Sequence, residues 1–314
     1  MSLADDIKQT ALQLGFDLVG ITDAAPIDQR HTAALQQWLE AGFAGQMQYM
    51  HRNLDKRINP AKLLAGANSV ICVGLNYKPP QTKPNAPPEP VPTGRVANFA
   101  LYEDYHVFIK KRLFKLAQFI NMVTDNKTRL KICVDSAPVA ERALAARAGL
   151  GFIGKNHMLI NPELGPQILL GEIITDLELE ADKQIADSCA GCDKCIAACP
   201  AGALRNDGRF DANKCVSYLT IEYKGKIPAE LADKIGDRLF GCDECTRVCP
   251  FSANGPVCSN ADFKFYPERA KPALNEVLNL TGPGFEKKFA NSCIERIGPE
   301  ILARNAHICL ANNQ

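Results

Sequence analysis

The sequence predicts an α+β fold: an α/β-type domain over residues 1–180, a compact cysteine-rich domain over 181–258, and helices over 259–314 that pack back on the core. Three observations carry this. Helical periodicities and short β-branched runs interleave as far as Glu180. Seven of the 13 cysteines then crowd into CAGCDKCIAACP (189–200) and CDECTRVCP (242–250), and helical patterns return around 270–280 and 283–312. With 314 residues, 46% of them apolar, the chain can bury a large core. Its formal charge of +1 excludes a surface basic throughout, so contact with nucleic acid needs a local patch. The opening MSLADDIKQTALQLGFD lacks the basic and apolar regions of a signal peptide, and no apolar run nears the roughly 18 residues of a membrane span. The expectation is a cytoplasmic protein with no membrane association. There, an odd count of 13 cysteines points to metal or redox chemistry rather than a disulfide framework.

Taken in order, DDIKQTALQLGFD sets Ile7, Leu12 and Leu14 near one helix face, and DLVGITDA reads as a short buried strand. HTAALQQWLEAG is a helix ending at Gly42 with Trp38 in the core, and Ser69 to Leu75 is a second strand. Seven prolines between Pro79 and Pro92 exclude a helix or sheet centre there, so the stretch reads as an extended surface loop near a site, or else as a linker. EDYHVFIKKRLFKLAQFINMV is a helix whose basic stripe, Lys110, Lys111, Arg112 and Lys115, is a solvated face before it is a nucleic-acid contact. LKICVDSAP is a strand that delivers Asp135 and Ser136 at its end, PVAERALAARAG is a helix stopped by Gly149, and QILLGEIIT is another buried strand.

Cys189-x2-Cys192-x2-Cys195-x3-Cys199-Pro200 is the bacterial ferredoxin run, in which three close thiolates hold one cubane and the fourth reaches its neighbour. Cys242-x2-Cys245-x3-Cys249-Pro250 supplies three more ligands, and the count requires Cys215 as the last. Crossover then gives one 4Fe-4S cluster Cys189, Cys192, Cys195 and Cys249, and the other Cys199, Cys215, Cys242 and Cys245. Structural zinc is the rival, but it explains neither the third cysteine at x2 spacing nor a Cys-Pro at both ends. The isolated Cys72, Cys133, Cys258, Cys293 and Cys309 read as small buried hydrophobes. Two clusters in a bacterial-ferredoxin-like domain form a one-electron wire, and the long region before it implies an acceptor. GLGFIGK (149–155) follows a helix, so it is not a dinucleotide loop.

Lys56-Arg57, EDYH (103–106), VDSAPVAERALAARAGLGFIGKN (134–156), LGEIITDLEL (170–179), both cysteine runs, CVSYLTIEYKG (215–225) and IGDRLFGCDECTRVCP (235–250) together resemble the epoxyqueuosine reductase family along nearly the whole chain. The resemblance implies a cobalamin-dependent iron–sulfur enzyme that reduces epoxyqueuosine to queuosine at the wobble position of tRNA. It implies an α/β-type cobalamin-binding domain joined to the ferredoxin-like module, as in reductive dehalogenases. The partners would be tRNA carrying epoxyqueuosine in its anticodon loop and an external low-potential electron donor; a monomer is expected. Asp104-Tyr105-His106 begins the base-on cobalamin signature Asp-x-His-x-x-Gly, but Ile109 stands in the glycine position, consistent with a family that places no protein histidine below the cobalt.

Turning an epoxide into an alkene and water takes two electrons and two protons, so a positioned acid is required. The resemblance gives that role to Asp135, whose pKa burial beneath corrin and substrate would raise. The residues alone leave equally open a cap on the helix after Pro138, from Asp135 or Ser136. Implied corrin contacts are Arg57, Asn98, Asp135, Leu159 and Leu170 through their backbones, Ser217, Cys242 and Asp243, with Lys224 on the tRNA side. For Arg57, Ser217 and Lys224 an ordinary surface or capping role is the alternative. The chain departs from the family at Asn98, Phe99 and Tyr102, at Pro166-Gln167-Ile168 and at Phe251-Ser252, where corrin or substrate would be lined, and it stops before the helical-repeat extension of longer members. Two other functions therefore stay open: a corrinoid iron–sulfur reductase acting on a small molecule, and a non-catalytic electron carrier.

Overall fold

The computed structural model describes residues 2–80 and 91–313, so most of the proline-rich stretch lies outside the described residues. Helix α1 (Leu3–Gln13) starts at a capping box in which Ser2 Oγ accepts the Asp5 N–H and Asp5 accepts the Ser2 N–H. It buries Ala4, Ile7 and Ala11. The expected face was one position off, because Leu12 is 50% exposed.

Strands β1 (Leu18–Asp23), β2 (Ser69–Asn76), β4 (Leu130–Cys133) and β7 (Ile168–Thr175) form one antiparallel sheet in the order β1-β2-β7-β4. The central pair β2 and β7 is almost wholly buried, which is why both read as near-continuous apolar runs. One face carries α1 and α5 (Tyr105–Val123); the other carries α6 (Glu141–Arg147). Gly20 permits this second packing, since a Cβ there would stand 2.0 Å from the Ala148 carbonyl oxygen. On α5, Lys110, Lys111 and Lys115 are exposed, whereas Arg112 leaves the basic stripe to lie over Phe108 and donate to the Leu14 carbonyl at 2.9 Å.

Between β1 and β2 run α2 (Gln29–Glu40), α3 (Gln48–His51) and α4 (Leu54–Ile58). Trp38 is half-buried rather than fully interior, and its indole N–H donates to the Phe210 carbonyl at 2.8 Å, tying α2 to the cysteine region. A small hairpin that the sequence patterns do not reveal, β5 (Phe152–Ile153) with β6 (Leu159–Ile160), follows α6.

The cysteine region contains α7 (Lys194–Ala197), α8 (Val216–Ile221), α9 (Ala229–Ile235), β8 (Arg238–Phe240), α10 (Glu244–Arg247) and α11 (Pro250–Asn254). Strand β8 pairs in parallel with β3 (Arg95–Val96) and so joins the region to the segment before α5. The chain ends in α12 (Leu274–Leu278), α13 (Gly282–Phe289) and α14 (Gly298–Asn312). The single helix expected over 283–312 is thus two helices. Asn291 and Gly298 take left-handed backbone angles, and Pro299 opens α14. One apolar core contains Ile71, Leu113 and Ile173 from the sheet region, Leu219 and Leu239 from the cysteine region, and Phe285 and Leu302 from the last helices. The three stretches of sequence pack as one body around the site.

Candidate functional site

Strand β4 stops at Cys133, and Asp135 follows in a left-handed conformation, φ 48°. Its Oδ2 lies 2.8 Å from His106 Nε2. His106 is the second residue of α5, where Asp104 caps the helix by accepting the His106 N–H at 2.9 Å; the same carboxylate lies 2.7 Å from His106 Nδ1. The Tyr105 ring stacks on the imidazole, with centroids 4.0 Å apart. From the far end of the chain, Cys293 Sγ approaches Asp104 Oδ1 at 3.8 Å, and Arg296 stands 4.0 Å from Asp135 Oδ2 while pairing with Glu222 at 2.6 Å. Phe99, Tyr105, His106, Asp135, Glu222 and Arg296 are among the walls of a cavity of about 170 Å³.

Burial works against a charge on His106, but hydrogen bonds to Asp104, Asp135 and Cys293 outweigh it and raise the imidazole to about 11. Crowding by protein pushes Asp135 up, yet the hydrogen bond and charge of His106, with Arg296, hold the carboxyl below its ordinary range. His106 and Arg296 thus counter the elevation that burial beneath corrin and substrate would bring, and favour a proton on His106 with Asp135 ionised. Nor does Asp135 or Ser136 cap α6, whose N-cap is Ala140 with no side-chain bond, while Ser136 Oγ donates to the Val134 carbonyl.

The cysteines fall into two groups. Burial raises the Cys195 and Cys249 thiols, and in both cases the nearby charges of Cys189 and Cys192 add to it. Burial likewise raises Cys245, with Cys215, Cys242 and Cys199 adding their charges, and Cys215 feels Cys199. Cys189, Cys192, Cys195 and Cys249 thus share one neighbourhood, and Cys199, Cys215, Cys242 and Cys245 another. Backbone N–H groups of Lys155 and Ala203 donate to Cys189 Sγ at 3.3 Å and Cys199 Sγ at 3.2 Å, the kind of bond that tunes a cluster's potential. A metal-binding domain built from these residues suits cubane clusters, since each group offers four thiols.

The implied corrin contacts are dispersed around this centre. Asn98, Cys242 and Asp243 line a neighbouring cavity of about 200 Å³ together with Arg95, Arg238 and Lys271. There the Asn98 N–H donates to Asp243 Oδ2 at 2.7 Å, and burial raises Asp243 to about 6. Gly241, at φ 71°, passes so close to Ala97 that a Cβ would lie 2.5 Å from the Ala97 Cβ. Arg57, in the last turn of α4, donates from Nη1 to the Val139 carbonyl at 3.3 Å and keeps a buried Nε without a partner among the described residues. Leu170 lies on β7 beyond the end of β4, where that edge of the ladder has no strand beside it. Leu159 is in β6, Ser217 is half-buried in α8, and none of Leu159, Leu170 and Ser217 lines either cavity. Lys224 is exposed after α8, its backbone N–H donating to Gln46 Oε1 at 3.1 Å. An unsatisfied guanidinium N–H, a carboxyl raised by burial and a strand edge unpaired among the described residues fit a macrocycle rimmed with amides. Sequence reasoning passed over His106 as part of an incomplete motif, treated Cys293 as filler, and did not reach Glu222 or Arg296; Asp104 and His106 two residues apart in EDYH were the available signal.

Residues 188–252 match the family described as 4Fe-4S double cluster binding domain, and residues 57–136 match the family described as Epoxyqueuosine reductase QueG, DUF1730. The epoxyqueuosine reductase of Vibrio cholerae is 38% identical over 311 residues, spanning 99% of this chain and 83% of the relative. A solved epoxyqueuosine reductase with an epoxyqueuosine-modified tRNA-Tyr stem loop superposes with a TM-score of 0.91 at 33% identity, covering 99% of this chain and 81% of that one. A Bacillus subtilis epoxyqueuosine reductase, with its catalytic aspartate loop swung out of the active site, gives 0.90 at 32% identity, with coverage of 99% and 81%. Fold and cysteine pattern define an iron–sulfur oxidoreductase of the double-cluster class. Within that class, the chain belongs to the epoxyqueuosine reductase family.

Proposed function

We propose that this chain reduces epoxyqueuosine to queuosine at the wobble position of tRNA. The observation that carries the reading is His106 Nε2 standing 2.8 Å from Asp135 Oδ2 at the wall of a cavity whose Phe240 lies two residues before Cys242. Its relationship to an enzyme solved with the modified tRNA stem loop supports the substrate. The ligand sets are Cys189, Cys192, Cys195 and Cys249 for one 4Fe-4S cluster, and Cys199, Cys215, Cys242 and Cys245 for the other. Cys189 and Cys192 lie in a largely exposed stretch, 186–194, where an external one-electron donor has access.

Cobalamin, when bound, supplies the two-electron reducing centre that the clusters feed. Arg57, Asn98, Ser217 and Asp243, with the backbones of Leu159 and Leu170 and the Cys242 segment, would hold it. The chain's own residues supply the proton. As the epoxide C–O bond opens, its oxygen gains negative charge; Asp135, ionised at rest, relays to that oxygen the proton held on His106 Nε2, and a second proton, taken up from solvent by the same pair, lets the oxygen leave as water. Asp104 fixes the imidazole through Nδ1, so the Nε2 proton points at Asp135. Arg296 balances the charge of Asp135 and Glu222 at the rim. Lys224 lies on the tRNA side, and the segment carrying Asp135 moves as its counterpart in the Bacillus subtilis enzyme does.

Anaerobic reconstitution with iron, sulfide and cobalamin, then incubation with epoxyqueuosine-containing tRNA and a low-potential reductant, tests the reading. Queuosine should appear in the digested tRNA. Cobalamin that binds and is reduced without converting the tRNA would point to a small-molecule substrate, and failure to take up cobalamin would point to an electron carrier.

A further inference from the structure

Two carboxyl groups close to Asp135, half-buried Glu141 and fully buried Glu172, take no part in the mechanism above. Glu141, the first residue of α6, accepts the Asp135 backbone N–H at 2.6 Å. Glu172, in the middle of β7, is fully buried, and neither carboxyl oxygen has a hydrogen-bond partner. Its strand neighbours in register are Cys72 on β2 and Cys133 on β4, two residues before Asp135. A buried unpaired carboxylate is costly enough that Glu172 stays protonated; burial first, then the charges of Glu141 and Asp135, push it far above the ordinary range.

We infer that Glu141 is a positioning residue that latches the Asp135 loop in the reactive conformation. The inference rests on the proposed role of Asp135. A left-handed aspartate is strained by roughly 1 kcal/mol or more, so it needs a restraint that outweighs the strain. On Asp135 itself the Glu141 carboxylate is the restraint on the backbone N–H, while His106 and Arg296 hold the side chain and Arg57 holds the far end of the loop at Val139 and Ala140. Between β4 and α6 the chain has no regular structure, so there is no ladder to hold it.

The groups facing Glu141 fix the sign of its pH response. Asp135 from the loop disfavours its charge, Arg142 on its own helix and Arg57 from α4 favour it, and protonated Glu172 on β7 adds no charge. Tyr105 on α5, Cys72 and Cys133 are neutral neighbours. Burial, followed by Asp135, raises Glu141 to about 7. An ionised carboxylate is a stronger acceptor than its acid, so the latch tightens as pH rises through about 7 and slackens below it.

Two readouts on the full, iron-loaded chain test this. By hydrogen exchange at pH 7.5, E141Q should lose protection across residues 134–140 by about 10- to 100-fold, the loss of one hydrogen bond to a charged group, while residues 168–175 keep theirs. Loss of protection in both segments would mean a folding defect, and E141D, which keeps the charge, then decides: restored protection of 134–140 supports the latch, and its absence overturns it. In turnover, kcat on epoxyqueuosine tRNA should fall by a similar factor in E141Q with KM little changed, and the rise of kcat between pH 6 and 8 should flatten. E172Q, a neutral isostere, should match wild type in both readouts; a large loss would mean that the Glu172 proton is itself used, against the latch. Unchanged exchange in E141Q would overturn the inference even if the tRNA assay succeeds. Altered exchange with an inactive wild type would instead sink the proposed substrate and leave the latch standing.

Discussion

The cluster region and the acid site are both functional centres of this chain, yet they are built in opposite ways. Seven of the eight proposed cluster thiols come from two runs of 11 and eight residues, 189–199 and 242–249, because neighbouring corners of one cube must be met by a single turn of chain. The acid site draws Asp104 and His106 from the start of α5, Asp135 from the end of β4, Glu222 from the end of α8, and Cys293 and Arg296 from the segment between α13 and α14. Local geometry dictates the first; only the packing of one shared core brings the second together. Damage should therefore differ in kind, loss of the metal in one case and misplacement of a proton in the other.

The largest effect is expected at the point where the cluster runs cross. Cys199 sits in the first run but neighbours Cys215 and Cys245 of the other group. C199S should abolish turnover and cut iron from about eight per chain toward four, with one cluster's electron paramagnetic resonance signal lost. Retention of both signals would break the crossover assignment.

A smaller effect belongs to the acid site. H106Q keeps a polar side chain but removes the imidazolium, and should slow single-turnover reduction by about 100-fold or more while iron content stays at wild-type level. Its pH behaviour sharpens the contrast further. His106 is raised from 6.5 to about 11, so the stability it contributes is fully present below pH 6.5 and is lost as pH rises through about 11. D104N removes one of the two carboxylates that hold this charge, so the alkaline limb of turnover should move down toward the ordinary histidine range. A pH-rate profile of D104N coincident with wild type would show that Asp104 does not set the proton's affinity.

The smallest effect lies between the two regions. W38F removes the indole N–H that α2 donates to Phe210, and should lower stability by about 1 kcal/mol with little change in turnover. Chemical denaturation measures it directly.

The same contrast governs what the sequence discloses. The strands at Ser69–Asn76 and Ile168–Thr175 are apolar throughout, and α5 has a regular apolar period, so their positions follow from pattern alone. The β5–β6 hairpin is only two residues on each side and leaves no periodic trace. The break between α13 and α14 hinges on Asn291 and Gly298-Pro299 within a stretch whose apolar spacing still looks helical. At the site, EDYH contains the histidine and its helix cap, but nothing local says that Asp135 will sit 2.8 Å from Nε2, or that Arg296, some 160 residues later, will stand beside it. That long-range placement is also why burial alone does not decide Asp135: burial raises a carboxyl, whereas a facing imidazole and guanidinium lower it.

The central claim is that Asp135 passes a proton held by His106 to the opening epoxide. The most direct measurement is single-turnover reduction of epoxyqueuosine tRNA by anaerobically reconstituted D135N, with cluster spectra and bound cobalamin recorded on the same sample. Conversion at least about 100-fold slower, with both clusters and cobalamin at wild-type levels, is the predicted result. Conversion at the wild-type rate would contradict it.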